Sequence, residues 1–150
     1  KTFGEWVLLD NGELNRRALR EHIFKEPTAR KALESITHPA IRNSIIQQLN
    51  AAQSPYVVLV SPLLFETNQH ELTNRTLLID ASEELQIQRA SQRDGQNIEQ
   101  IKNIIQVQMP RIEKQKRAND IVLNDGHLAH LYQQLIPLHE KYLALSKKQS

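Results

Sequence analysis

A carboxylate follows closely on one of the most apolar stretches of this sequence. Residues Val57 to Thr67 read VVLVSPLLFET, so Glu66 comes soon after a continuous aliphatic run. If that run is a buried strand of a parallel sheet, Glu66 lies beyond its carboxyl end, where such sheets bind ligands. A carboxylate there can act near a phosphate-bound Mg²⁺, directly or through water. The alternative is a solvated loop carboxylate or a charge at a helix end.

Two arginines stand four residues apart in the segment QRASQRDG. Arg89 and Arg93 share one face of a predicted helix, where their charges repel unless an anion or carboxylates lie between them. The fork geometry of arginine suits a phosphate clamp. Pairing with Glu84, Glu99 or solvent is the other interpretation.

Further basic residues crowd the segment QMPRIEKQKRAND, directly after Pro110. They could form a mobile lid that closes over phosphates, or they could be a solvated helical face. These residues are Arg111, Lys114, Lys116 and Arg117.

The histidines give little indication of catalysis or of metal binding. His38 precedes Pro39 between two predicted helices, where a histidine is more often a cap or a packing residue. His127 and His130 are three residues apart, but no third ligand accompanies them. Cysteine is absent from the sequence, which excludes disulfides and thiolate metal sites. We therefore predict no protein-bound metal.

The composition is that of an ordinary globular domain. The chain has 150 residues, 39% hydrophobic and 24% charged, with a formal net charge of +2. No apolar run approaches the length of a membrane helix, and no signal peptide is recognisable. The charge is too mild and too dispersed to indicate nucleic-acid binding, whereas small anionic substrates fit. We expect a cytoplasmic protein that contacts neither nucleic acid nor membrane.

Periodicity and breakers predict alternating helices and strands. A turn is predicted at Asp10-Asn11-Gly12. Pro39 should separate two helices, and Pro137 should kink the last one. The predicted helices span 13–24, 27–36, 39–53, 82–93, 97–109 and 128–145. The predicted strands span 56–60, 76–80 and 121–123. Because these strands are apolar without alternation, the pattern indicates a parallel α/β sheet with helices on both faces.

The motifs together resemble the dephospho-CoA kinase family. They occur in the order DNGELNRRALREHIF, ITHPAIR, SPLLFE, LLIDASEELQIQRASQRDG and QVQMPRIEKQKRANDIVLNDG, and they cover the chain from Asp10 to about Asp125. The resemblance implies an α/β fold with a P-loop kinase-type parallel sheet, a helical CoA-binding region and a lid. It also implies transfer of the ATP γ-phosphate, with Mg²⁺, to the ribose 3′-hydroxyl of dephospho-CoA.

Functional residues are carried over by this resemblance. Arg93, Lys114 and Glu66 take catalytic positions. The positions that match substrate contacts are Asp10, Arg17, Arg20, His38, Pro62, Leu63, Leu64 and Phe65. The positions that match ATP contacts are Arg89, Asn124, Asp125 and Gly126. The resemblance divides the chain into a substrate-binding region (1–55), core strands and helix (56–93), a lid (94–119), and the last strand with its helix (120–150).

The sequence departs from the family pattern in what it lacks. The family's first strand, its glycine-rich loop ending in Gly-Lys-Ser/Thr, and an acidic loop that supplies a catalytic Asp have no counterpart here. Asn119 also stands where the family usually has an acid. With an opening of Lys1-Thr2-Phe3-Gly4, we expect a C-terminal portion of a longer kinase, inactive by itself, whose general base lies elsewhere.

Two other functions remain open at this stage. One is another small-molecule P-loop kinase, such as a nucleoside monophosphate kinase. The other is a helical adaptor without enzymatic activity, whose basic segment binds an acidic partner. The oligomeric state does not follow from the sequence.

Overall fold

The computed structural model describes residues 2–94 and 97–147. The chain forms two compact units, Lys1–Ala51 and Ala52–Ser150. The break predicted at Gly95 lies outside the described residues. In the part of the chain that is described, no helix combines the length and apolarity needed to cross a bilayer.

The first unit begins with a 3-10 helix, Glu5–Val7, and a tight turn. Leu8 and Leu14 form an isolated antiparallel bridge around the predicted turn at residues 10–12. Gly12 has a φ of 82°, a conformation that side chains disfavour, so a glycine suits this position. The turn prediction is confirmed.

Two helices complete this unit, α1 (Arg16–Lys25) and α2 (Pro27–Ala51). The side chain of Asn15 accepts the Ala18 N–H at 3.1 Å and so caps α1. The prediction that Pro39 separates two helices is wrong, because α2 continues through it. Proline removes one helical N–H donor, but this stretch of α2 is exposed, so water can bond the carbonyl that loses its donor.

The second unit is built on two parallel strands, β1 (Leu77–Asp80) and β2 (Asp120–Leu123). Their register places Leu77 opposite Asp120 and Asp80 opposite Leu123. Just before the strands, the Asn119 side chain accepts the Thr76 N–H at 2.9 Å. Asn119 therefore aligns the strands through an amide, which explains how a neutral residue serves at this position.

Four helices follow or connect these strands; three begin where the sequence predicts, and the helix after Pro110 was not among the predicted helices. Ser82 accepts the Leu85 N–H at 3.2 Å, Asn97 accepts the Glu99 N–H at 3.0 Å, and Pro110 directly precedes a helix. The predicted kink at Pro137 falls inside a single helix. The helices are α3 (Glu83–Asp94), α4 (Ile98–Gln106), α5 (Arg111–Arg117) and α6 (Leu128–Ser146).

The segment predicted as a buried strand at 56–60 is not a strand among the described residues. Its side chains are largely exposed, with Val58 at 67% and Val60 at 87%. Apolar character alone does not make a strand, because the backbone also needs a hydrogen-bonding neighbour. The segment is held at one end, where the Tyr56 hydroxyl lies 2.6 Å from His139 Nδ1 of α6.

Asp120 links the amino end of β2 to α6 and to Arg75, which lies just before β1. Its buried carboxylate accepts hydrogen bonds from Arg75 Nε at 3.0 Å, from Tyr142 Oη at 3.0 Å and from Lys141 Nζ. Burial raises the pKa of Asp120, but these donors outweigh it and lower the pKa to about 2. Burial and the bond to Asp120 raise the pKa of Tyr142 to about 12.

We predict that Asp120 makes the fold acid-sensitive. Because its folded pKa lies near 2, below the ordinary 3.8, its contribution is complete above about pH 4 and is lost as the pH falls toward 2. The contribution is at most about 2 kcal/mol, since Arg75 and Lys141 are partly exposed and screened. Denaturant unfolding should show Asp120→Asn losing less free energy than the parent between pH 5 and pH 2.5. An equal loss in both proteins would contradict this prediction.

Candidate active site

A cleft of about 480 Å³ opens in the second unit at the carboxyl end of β1. Its floor is the end of β1, and its walls come from α3, α4, the turn before Pro110 and the helix after it. Four of the predicted site residues line it: Arg89, Arg93, Lys114 and Asn124. The concentration of cationic groups makes this cleft suitable for an anionic ligand.

At the floor, Asp80 forms a two-pronged ion pair with Arg111. Arg111 Nε donates to Oδ1 at 2.8 Å and Nη2 donates to Oδ2 at 2.7 Å, while Gln115 Nε2 donates to Oδ2 at 2.8 Å. The bonds from Arg111 hold the pKa of Asp80 below its usual value, against the opposing effect of burial. Asp80 is therefore a buried anchor for α5 whose charged form is favoured by its donors.

The Arg89 side chain lines the cleft and contacts the loop after β2. Its guanidinium donates to the Asn124 carbonyl at 2.6 Å and reaches the Gly126 carbonyl at 3.5 Å. It therefore supports the loop after β2, which the resemblance assigned to ATP. Arg93 is exposed and lines the cleft.

Glu66 contacts the segment before α5. Its Oε1 accepts the Met109 N–H at 2.8 Å and lies 3.6 Å from Lys114 Nζ, which also donates to Gln108 Oε1 at 3.2 Å. Burial raises the pKa of Glu66, but the Met109 bond and Lys114 together hold it below the ordinary value. In this structure Glu66 orients Lys114 and the turn that carries it.

The remaining predicted residues of the second unit lie in turns. Residues 62–68 form a series of turns after the extended segment. Phe65 is buried, with its ring 5.3 Å from that of His70, while Pro62 and Leu63 are exposed and Leu64 is half-buried. Asp125 is exposed, 3.9 Å from His130 Nδ1.

Four predicted substrate residues belong to the first unit. Asp10 lies in the turn before α1, and Arg17 pairs with Glu21 at 3.1 Å on the exposed face of that helix. Arg20 is exposed on α1, and His38 is exposed inside α2 rather than between two helices. The cleft is lined entirely by the second unit.

The sequence-based assignment of the site missed Asp80, Arg111 and Gln115. Asp80 ends the predicted strand TLLID, so the rule that ligands bind at the carboxyl ends of strands could have identified it. Arg111 was grouped with the basic lid residues without a partner. Arg111 and Gln115 follow Asp80 by 31 and 35 positions, and nothing local in the sequence indicates that they contact it.

The described residues do not form a ligand set for a metal ion. Over residues 2–94 and 97–147, no group of three or more acidic, histidine or cysteine side chains is arranged to hold one. Two carboxylates beside the cationic residues are already engaged, Asp80 by Arg111 and Glu66 by the Met109 N–H.

Comparison with known proteins points to one family. A sequence model described as dephospho-CoA kinase matches residues 1–130. The chain is 77% identical over 141 residues to a dephospho-CoA kinase of Acinetobacter baylyi, covering 94% of this chain and 72% of that protein. It is 47% identical over 151 residues to that of Psychrobacter cryohalolentis, covering 99% of this chain and 66% of the relative.

Solved structures give the same indication. A crystal structure of a Thermus thermophilus protein superposes with a TM-score of 0.77 at 34% identity, covering 89% of this chain and 70% of that one. A dephospho-CoA kinase from Campylobacter jejuni superposes with a TM-score of 0.66 at 29% identity, covering 96% and 71%. These neighbours confirm the predicted fold class, an α/β fold with a parallel sheet.

We predict that Glu66 stabilises the turn before α5. Glu66→Ala should accelerate amide exchange at Met109 and lower the free energy of unfolding by about 1 kcal/mol, because a hydrogen-bond acceptor is removed. Glu66→Gln is the matched control, since it keeps an acceptor oxygen and loses only the charge. Amide exchange followed by NMR should rank the parent slowest, Glu66→Gln next and Glu66→Ala fastest. Equal exchange at Met109 in all three would refute the role.

Proposed function

The chain belongs to the dephospho-CoA kinase family, and we propose that its enzyme transfers the γ-phosphate of ATP to the ribose 3′-hydroxyl of dephospho-CoA. The observation that carries the proposal is the cationic cleft at the carboxyl end of β1. Phosphoryl transfer depends on positioning and on charge stabilisation, and this cleft presents cationic groups of α3 and α5 beside the end of β1.

In the proposed reaction, the ribose 3′-oxygen forms a bond to the γ-phosphorus. The bond from that phosphorus to the bridging β–γ oxygen breaks, ADP leaves, and the hydroxyl proton passes to a base. Asp80 is a poor base because its pKa is lowered and its oxygens are occupied. We assign no base among the cleft residues.

We propose that Arg93 and Lys114 neutralise charge on the transferred phosphoryl group. Both line the cleft, and Lys114 is held in place by Gln108 and Glu66. Arg89 acts differently, by supporting the loop of Asn124, Asp125 and Gly126 beside the adenine of ATP. Glu66 then contributes by orienting Lys114 and not by direct contact with phosphate.

The first unit is proposed to contribute contacts to dephospho-CoA. The exposed groups of the first unit, Arg17, Arg20, Asp10 and His38, suit contacts with a polar, charged ligand. Residues 94–119 are proposed to act as the lid, since they contain α4, α5 and two of the cationic groups that line the cleft, Arg111 and Lys114.

Mg²⁺ is proposed only as the counterion that ATP brings. The ion keeps several waters and binds chiefly through substrate phosphates in sites of this kind. Because the described carboxylates do not form a cage for it, we derive no step through the metal.

We propose that these residues alone give little phosphate transfer. The chain spans 72% and 66% of the two relatives above, and its sequence contains no glycine-rich loop that ends in Gly-Lys-Ser/Thr. Several charge-assisted hydrogen bonds to phosphate would come from such a loop. We therefore expect little turnover from these residues alone, and assays use a full-length enzyme that contains them.

We predict that Arg93→Ala lowers kcat more than it raises KM for dephospho-CoA. The reason is that a contact made mainly in the transition state changes kcat and kcat/KM together. The loss should reach about a hundredfold, below the ~10³–10⁵ of an arginine finger. Steady-state phosphate transfer from ATP to dephospho-CoA is the measurement.

Lys147→Ala is the control, because Lys147 is exposed at the end of α6 and is not among the cleft residues. An unchanged kcat in Arg93→Ala would end the assignment of Arg93. Faster transfer to a nucleoside monophosphate than to dephospho-CoA would instead favour the other kinase class.

A further inference from the structure

The sheet carries one buried carboxylate at each end. Asp80 ends β1 and Asp120 begins β2, with side chains 3% and 6% exposed. Each accepts two hydrogen bonds from one arginine, Arg111 or Arg75. The two pairs are chemically alike, but only Asp80 and Arg111 line the cleft.

The pairing fixes how Arg111 is presented. Its Nε and Nη2 bind Asp80, so the planar guanidinium cannot rotate, and its Nη1 donors remain available on the opposite edge. The Arg111 side chain remains 38% exposed although its partner is buried. A fixed cation with unused donors at a cleft wall is suited to a phosphate group, because arginine binds phosphate through such forks.

We propose that Arg111 binds the triphosphate of the nucleotide and that Asp80 is the positioning residue that holds it there. The proposal rests on the proposed kinase function, because it assigns the nucleotide to this cleft. Gln115 supports the same carboxylate from the next turn of α5.

The direction in which Asp80→Asn changes the affinity for an anion distinguishes this proposal from a purely structural role of the ion pair. Asp80 is a negative charge beside an anion site, so by charge alone Asp80→Asn should tighten the binding of an anion. If Asp80 holds Arg111 in its binding orientation, the same substitution should weaken binding, because the guanidinium loses its anchor. The two effects have opposite directions.

The test is calorimetric titration of the full-length enzyme with inorganic triphosphate. We expect Asp80→Asn and Arg111→Gln each to weaken binding about tenfold, the scale of one charge-assisted hydrogen bond. In the Arg111→Gln background, adding Asp80→Asn should cause no further weakening, because both act through one contact. Asp120→Asn is the matched control for loss of a buried carboxylate and should leave the affinity unchanged.

Steady-state kinetics supplies the second readout. Asp80→Asn should raise KM for ATP about tenfold and leave KM for dephospho-CoA unchanged, a split that general destabilisation does not produce. Unchanged or tighter triphosphate binding in Asp80→Asn would overturn the proposal, as would equal weakening in Asp120→Asn. If Asp80→Asn does not fold, Arg111→Gln decides, and unchanged triphosphate affinity in that variant would overturn the proposal.

If the proposed kinase activity is wrong, the results differ from those expected if the Arg111 anion site is wrong. In that case the parent enzyme would bind triphosphate through Arg111 but would not phosphorylate dephospho-CoA. Loss of affinity in the Asp80 and Arg111 variants would then still support the anion site.

Discussion

The second unit depends on a single carboxylate at the end of β1. The Asp80 backbone pairs with β2, its carbonyl accepts the Asn124 N–H at 2.7 Å, and its side chain binds Arg111 and Gln115 of α5. One residue thus joins the strand end, the loop after β2 and the basic helix. A buried carboxylate is costly unless it is fully hydrogen-bonded, and it meets that requirement by fixing a cation at the cleft.

Charge is arranged differently at the two ends of the same sheet. At the amino end, Asp120 is enclosed by Arg75, Lys141 and Tyr142, so its donors serve to hold α6. At the carboxyl end, the cationic groups around Asp80 face open space. Because of this asymmetry, the ion pairs of Asp120 only hold elements together, whereas the ion pair of Asp80 is part of a site. This agrees with the binding of ligands at the carboxyl ends of parallel strands.

Local sequence patterns predicted local structure well. Ser82 and Asn97 mark helix starts because capping depends on residues within one turn. Pro39 was misleading because a proline in an exposed helix removes only one bond. The segment 56–60 was also wrong as a strand, because strand formation depends on a neighbour that the segment's own sequence does not specify.

The sequence predicted which residues line the site but not which groups their side chains contact. Arg89, Arg93 and Lys114 were recognised from spacing and from resemblance, and the structure brings all three to one cleft. The partners are set by tertiary contacts across tens of residues, such as the bond from Arg89 to the Asn124 carbonyl and the bond from the Met109 N–H to Glu66. For the same reason, Asp80 went unnoticed despite its place at a strand end.

The most direct test of whether Asp80 organises the cleft is amide hydrogen exchange of α5 in the parent and in Asp80→Asn at neutral pH. If Asp80 anchors the basic helix, amides of Arg111–Arg117 should exchange about tenfold faster in the variant, while those of β2 at Val122 keep their protection. Unchanged exchange throughout α5, with or without a change elsewhere, would contradict the claim that Asp80 organises the cleft.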